Sequence, residues 1–329
     1  MRAWQVHRNA APHDALRLVE LDAPSPGPGE LRLRVHAAAI GRPDAFLCHG
    51  TYAFRPELPF VAGQEVCGTV DAVGDDVDHE LVGRRLMAVT SFYDGRGGFA
   101  EAAIARADTA YRVPDDMGDV EAAAFRIGYS TAWIGLVRRG GLEAGERLLV
   151  LGAAGGSGAT AVTLGRALGA DVIAAVAGSE KAQLCHRLGA HTVIDRTTDD
   201  VPAAVLEATG GAGVDLVYDP VGGATADATV RCLAPGGRLL AVGFASGAWV
   251  RPDTADLVRR NASLVGVFAG GLTRAENESD HDALLALRAD GRLPDATTAV
   301  GFDDLPDALA TVDAGTAVGK LVLRVDERA

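Results

Sequence analysis

The stretch Arg147 to Ala170, RLLVLGAAGGSGATAVTLGRALGA, decides the fold. It opens on an apolar run, Leu148-Leu149-Val150-Leu151, short enough to be a buried parallel strand. Glycines follow at Gly152, Gly155, Gly156 and Gly158. The apolar period then lengthens, and Ala161, Leu164, Ala167 and Leu168 fall on one face of a helix. Strand, glycine turn and helix in that order form the phosphate-binding corner of a dinucleotide fold. Glycine lets backbone approach a pyrophosphate, and the helix N-terminus offers free N–H groups at the positive end of its dipole. A tight packing turn would use the same glycines, so the surrounding chain has to decide.

It decides for nucleotide binding. Strand-like runs recur at 171–176, 192–194, 214–218, 238–242 and 263–268. Helical segments lie between most of them, at 179–189, 200–209, 224–233 and 253–260. Strands alternating with helices over this distance give a doubly wound parallel sheet, the Rossmann arrangement.

The remainder of the chain has another texture. Runs at 16–20, 30–36 and 68–73 alternate apolar with polar residues, and Pro24, Pro26, Gly27, Pro28 and Gly29 make a turn between two of them. This reads as a mainly-β unit with one face buried. The run 120–137 reads as a helix passing into the nucleotide domain. After Phe268 come helices near 282–288 and 304–312 and a last strand at 320–324, expected to return to the first domain. The expected division is therefore 1–120 with 270–329 for the mainly-β domain and 121–269 for the Rossmann domain. The cleft between them would hold nicotinamide and substrate.

Composition narrows the class. The 329 residues are 48% hydrophobic, enough for two packed domains. A net charge of −13 argues against a nucleic-acid-binding surface. The four cysteines, Cys48, Cys67, Cys185 and Cys232, have neither paired disulfide spacing nor the spacing of a cysteine-rich zinc site. The opening MRAWQVHRNA has no apolar core of a signal peptide, and no stretch is long enough to span a bilayer. A soluble cytoplasmic protein without membrane association is expected.

Several segments together resemble the medium-chain dehydrogenase/reductase superfamily, and within it the zinc-free quinone oxidoreductase branch. They are Pro59-Phe-Val-Ala-Gly-Gln-Glu-Val-Cys-Gly68, Gly97-Gly-Phe-Ala-Glu101, Ser130-Thr-Ala-Trp133 and the glycine loop Gly152-Ala-Ala-Gly-Gly-Ser-Gly158. Asp219-Pro-Val-Gly-Gly223, Leu233-Ala-Pro-Gly-Gly-Arg238 and Gly319-Lys-Leu-Val-Leu323 complete them. The resemblance implies a GroES-like catalytic domain, a Rossmann domain, hydride transfer from NADPH and a homodimer paired through strand 263–268. It also implies that Thr131, Gly152, Ala154, Gly155, Gly156, Ser157, Gly158, Gly243, Phe244 and Lys320 meet the cofactor.

Metal decides the branch. A catalytic zinc needs three or four protein ligands of Cys, His or carboxylate type. The positions that match the ligands of zinc-bearing relatives are here Gly41, Gln64 and Ile127, and only Glu65 of that set survives. No metal is expected. Without a Lewis acid, alcohol oxidation gives way to reduction of a polarised C=C bond or a quinone.

At the adenosine end, NAD-binding folds usually carry an acid at the tip of the second strand. Here it ends Val176-Ala-Gly-Ser179, followed by Lys181, while Arg196 follows the third strand. Ser179, Lys181 and Arg196 are candidates for a 2′-phosphate site, with Glu180 close enough to offset some charge. A solvated helix start is the plainer alternative.

At the reacting end, His49-Gly-Thr-Tyr52 resembles the Gly-x-Tyr segment that supplies a proton-donor tyrosine in related enoyl-thioester reductases. A phenol with pKa near 10 stays protonated at neutral pH and can protonate an enolate. Tyr52 is either that donor or a packing aromatic of the substrate loop. Asp44 matches a pocket position, and Gly41 replaces the family's usual Asn. Arg42 and Arg126 are unexpected: each either pairs with an acid or faces the cleft to bind an anionic substrate group. Phe268, with Phe46, Phe54 and Phe244, is expected to wall the pocket. The function expected is an NADPH-dependent reductase of small-molecule quinones or enones. The alternatives are an enoyl-thioester reductase of a biosynthetic pathway and a non-catalytic NADPH-binding protein.

Overall fold

The structure, a computed structural model, describes residues 1–325. The chain forms two compact units, one made of residues 1–127 with the C-terminal segment from Thr297, the other of residues 128–296.

The second unit is built on six parallel strands. Arg147–Leu151 is central, flanked by Asp171–Val176 and Thr192–Asp195 on one side. Val214–Asp219, Leu233–Ala241 and Ser263–Gly266 follow on the other. Strand order therefore reverses between Arg147–Leu151 and Val214–Asp219. A crevice opens at such a switch point, at the carboxyl ends of the strands. Leu148, Leu149 and Val150 are wholly buried, which is why the run lacks polar alternation. The helix Gly156–Ala167 packs tightly on this strand: a Cβ on Gly165 would fall 2.6 Å from the Leu148 side chain.

The first unit is mainly β. A sheet runs Thr297–Val300, Lys320–Arg324, Glu30–Ala39, Glu65–Val73, Arg85–Thr90 and Ala102–Arg112, and the last strand also pairs with Glu30–Ala39. That extra pairing curls the sheet on itself, so Ala102–Arg112 presents no open edge where it meets Glu30–Ala39. A three-stranded sheet of Leu16–Glu20, Arg2–Val6 and Phe60–Val61 accompanies it in the same unit. Leu31, Leu33, Val66, Phe99 and Leu323 are buried in the shared core.

Two boundaries differ from the sequence reading. The helix Arg274–Ala289, expected with the first domain, belongs to the second unit. Its Asp280 carboxylate takes a bidentate pair from Arg138 at 2.7 and 2.9 Å, which ties it there. The division near residue 120 falls instead inside the helix Asp119–Trp133, after Ile127. This helix then widens into a π-helical turn, Ile134–Arg139. No helix among the described residues is long and apolar enough to cross a membrane.

Candidate functional site

Two clusters bring the expected residues together, one in each unit.

In the second unit the glycine loop has the geometry of an anion cradle. Gly152 adopts φ +57°, which a side chain would resist. Gly158 sits so close to the loop that a Cβ there would lie 2.2 Å from the Gly152 carbonyl oxygen. Gly155 is the N-cap of helix Gly156–Ala167, and no side chain caps the first turn. Its leading N–H groups are left for an anion. Ala154, in the same loop, is buried. Ser157 Oγ lies 3.0 Å from the Tyr218 hydroxyl, a partner the sequence does not suggest.

Gly178, φ +87°, precedes the helix Ser179–Arg187, and Ser179 is its first residue. Lys181 and Arg196 come near enough to repel. Burial pulls the Lys181 ammonium below its ordinary pKa, Arg196 lowers it further, and Glu180 opposes both. Two cations held together in this way are suited to a shared phosphate. Asp195, which no sequence pattern singles out, accepts from Gly178 N and Thr197 N and so shapes the turn between the two strand ends. Gly243 N donates to the Asp219 carbonyl at 3.1 Å, and the Phe244 ring stacks on Trp249 with centroids 4.8 Å apart. Asp219 is wholly buried; burial raises its carboxyl to about 6 although Val221 N and Gly222 N both donate to it. Thr131 is partly buried on the helix Asp119–Trp133. Phe268 is 71% exposed within its own unit.

In the first unit, the helix Arg42–His49 carries Pro43 and Asp44 in its first turn, a proline at the second position and an acid at the third. The Asp44 carboxylate accepts from Gly41 N at 2.8 Å and Gly63 N at 3.2 Å. Burial raises it to about 7 against those hydrogen bonds and the nearby Lys320. Lys320 Nζ is 2.9 Å from Glu65 Oε1, and Glu65 Oε2 accepts from Ile127 N at 2.8 Å. Tyr52 is half-buried against the same core, its ring edge-on to Phe54. Burial lifts its phenol above the ordinary value; hydrogen bonding with Gln64 opposes this and Asp44 adds to it. Tyr52, Gln64, Asp44, Glu65 and Lys320 thus form one neighbourhood.

Four of the expected site residues have protein partners in the structure. Arg42 donates to the carbonyls of Val312 and Asp313, pairs with the Asp313 carboxylate at 3.6 Å and stacks over Phe46. It clamps the end of helix Leu305–Asp313, the acid-pairing alternative of the sequence reading. Phe46, expected to wall the pocket, is buried beneath it. Arg126 is buried, with its guanidinium 4.5 Å from the Tyr111 ring centroid, a packing role. Lys320, expected at the cofactor, is engaged by Glu65 within the first unit.

The residues at the matched zinc-ligand positions do not fit that metal. Gly41 has no side chain, Ile127 is apolar, and Glu65 is committed to Lys320 and a backbone N–H. Among the described residues no three His, Cys, Asp or Glu side chains group as a metal site.

Comparison with known proteins agrees with this architecture. The chain is 31% identical to the quinone oxidoreductase-like protein 2 homolog of Nematostella vectensis, over 92% of this chain and 83% of that one. It belongs to the quinone oxidoreductase branch of the medium-chain dehydrogenase/reductase superfamily. Two family models match this oxidoreductase: alcohol dehydrogenase GroES-like domain at residues 27–115 and zinc-binding dehydrogenase at 156–287. The Escherichia coli quinone oxidoreductase solved in complex with NADPH superposes with a TM-score of 0.89 at 27% identity, covering 98% of this chain and 100% of that one. A segment of a phenolphthiocerol/phthiocerol polyketide synthase of Mycobacterium tuberculosis is 32% identical over 95% of this chain, which spans 14% of that much longer protein.

Proposed function

We propose that this oxidoreductase is an NADPH-dependent, zinc-free reductase of quinones or α,β-unsaturated carbonyls. The observation that carries the reading is the first-unit neighbourhood, where a protonated phenol stands beside Gln64 and Asp44 and the matched metal positions hold Gly41 and Ile127. NADPH is the cofactor the second unit fits: a glycine cradle for the pyrophosphate, and Lys181 with Arg196 for a 2′-phosphate. When bound, it supplies the hydride. Tyr52 hydrogen-bonds the substrate oxygen and yields its proton as negative charge develops there. Asp44 and Lys320–Glu65 hold the helix start and strand that carry this corner. The enzyme works in the cytoplasm as a homodimer joined through strand Ser263–Gly266, an open sheet edge on which Leu264 is 44% exposed.

One observation favours a second reading, an enoyl-thioester reductase: the 32% identity to part of a polyketide synthase. The test is NADPH oxidation with a naphthoquinone, a simple enone and an enoyl thioester, each beside NADPH titration. Turnover of the thioester alone selects the second reading. Tight NADPH binding with no turnover on any member marks a non-catalytic binding protein and overturns both.

A further inference from the structure

We propose that Tyr218 is a positioning residue that fixes the Ser157 hydroxyl as an outward-facing donor to a pyrophosphate. The inference rests on the cofactor reading above and adds a residue that touches no ligand itself.

Tyr218 lies on the strand Val214–Asp219 and is wholly buried. Burial raises its phenol well above the ordinary value, so it keeps its proton at any working pH. A buried phenol needs a hydrogen-bond partner. Among the described residues the partner is Ser157 Oγ, at 3.0 Å. The π-helical turn lies close over the ring: a Cβ on Gly135 would come within 3.0 Å of it. Glycine at 135 therefore lets the turn close over the ring and holds the phenol against the loop.

Ser157 is the second residue of helix Gly156–Ala167, beside N–H groups that no side chain caps. A serine hydroxyl has one proton and can point it inward or outward. With Tyr218 O–H donating to Ser157 Oγ, the serine proton is free to point away from the core, toward an anion at the helix start. Each bond polarises the other, so phosphate binding strengthens the Tyr218–Ser157 contact as well. Without the phenol, Ser157 can turn its proton inward, and the anion loses a preorganised donor.

The experiment is a double-mutant cycle read by NADPH titration and, separately, by thermal unfolding of the cofactor-free protein. Tyr218→Phe keeps the ring and should weaken NADPH by roughly 3- to 10-fold, the scale of one hydrogen bond. Ser157→Ala should weaken it at least as much. In the Ser157→Ala background, Tyr218→Phe should then cost nothing further in affinity. Ser157→Thr keeps the oxygen and should keep wild-type binding. If Tyr218→Phe lowers affinity equally with Ser157 or with alanine in its place, the role is merely structural and the proposal falls. If the Tyr218→Phe chain does not fold, Ser157→Thr against Ser157→Ala still tests it, and equal NADPH affinity of those two overturns it. Failure of the wild-type protein to bind NADPH at all would instead count against the cofactor reading.

Discussion

Lys320 Nζ and Glu65 Oε1 are 2.9 Å apart, with 18% and 3% of their side chains exposed. This ion pair joins the last strand, Lys320–Arg324, to the strand Glu65–Val73. Removing the lysine leaves a buried carboxylate with a single backbone hydrogen bond, from Ile127 N. Such a loss costs about 3–5 kcal/mol when neither partner has solvent. Lys320→Met should therefore destabilise the fold by about 3 kcal/mol, the lower end, because Lys320 keeps some water. Lys320→Met combined with Glu65→Gln should recover part of that. Urea unfolding decides it, and an unchanged midpoint for Lys320→Met would refute the account.

Lys181 and Arg196 crowd each other without an acid at the tip of strand Asp171–Val176. An anion shared by both relieves the repulsion, so NADPH should bind more tightly than NADH. Lys181→Ala removes a charge-assisted contact worth roughly 1.5–3 kcal/mol. NADPH affinity should fall at least several-fold while NADH is nearly unaffected. Equal affinities of the two cofactors for the wild-type protein would end this argument.

Much of the second unit is legible in the sequence because its elements announce themselves locally. Strand Asp171–Val176 has the bounds of its apolar run, and the helix Ser179–Arg187 follows its period. The first unit hides more. Ala102–Arg112 pairs with Glu30–Ala39, a strand distant in sequence, and the helix Arg42–His49 is only eight residues long. Its start is nevertheless written in Pro43 and Asp44. Side-chain partners are the least legible. Arg42 reads either as paired with an acid or as facing a substrate, and no spacing rule names its partner Asp313, which lies at the other end of the chain. Ser157 reads as a loop residue, and nothing local points to Tyr218 behind it. Such pairs are set by tertiary packing, to which spacing rules are blind.

Asp44 should titrate far above an ordinary aspartate. Burial raises its carboxyl to about 7 in the folded chain, from an unfolded value of about 3.9. Between those values the folded chain holds a proton that the unfolded chain has released. This contribution to stability is full below about pH 4 and is lost as pH rises through 7. Carboxyl carbon NMR should show one resonance titrating near 7 that is missing from an Asp44→Ala protein. Only resonances moving below pH 5 would contradict it.

Gly41 and Ile127 offer a zinc ion no donor atoms, and Glu65 is already held by Lys320. The purified protein should carry no stoichiometric zinc, and a chelator should leave turnover unchanged. Elemental analysis giving about one zinc per chain would overturn the zinc-free assignment.

The proposed proton donor is Tyr52. Its phenol is half-buried, lifted above its ordinary pKa by burial, and set beside Gln64 and Asp44. It therefore stays protonated through neutral and mildly alkaline pH, as a donor must. General acid help is typically worth about 10²–10⁴ in rate. Tyr52→Phe should cut kcat on an enone by about that factor while NADPH affinity is retained. Quinone reduction should suffer less, because a reduced quinone oxygen can take its proton from water. The split between the two substrates matters more than either loss alone. A packing role for Tyr52 would lower both rates together and would show as a lowered Tm. A donor role spares quinone turnover and leaves the unfolding midpoint near wild type, since removing one hydroxyl keeps the ring against Phe54. A Tyr52→Phe protein with full turnover on every enone tried would hand the proton to water and return Tyr52 to the substrate loop as a packing aromatic.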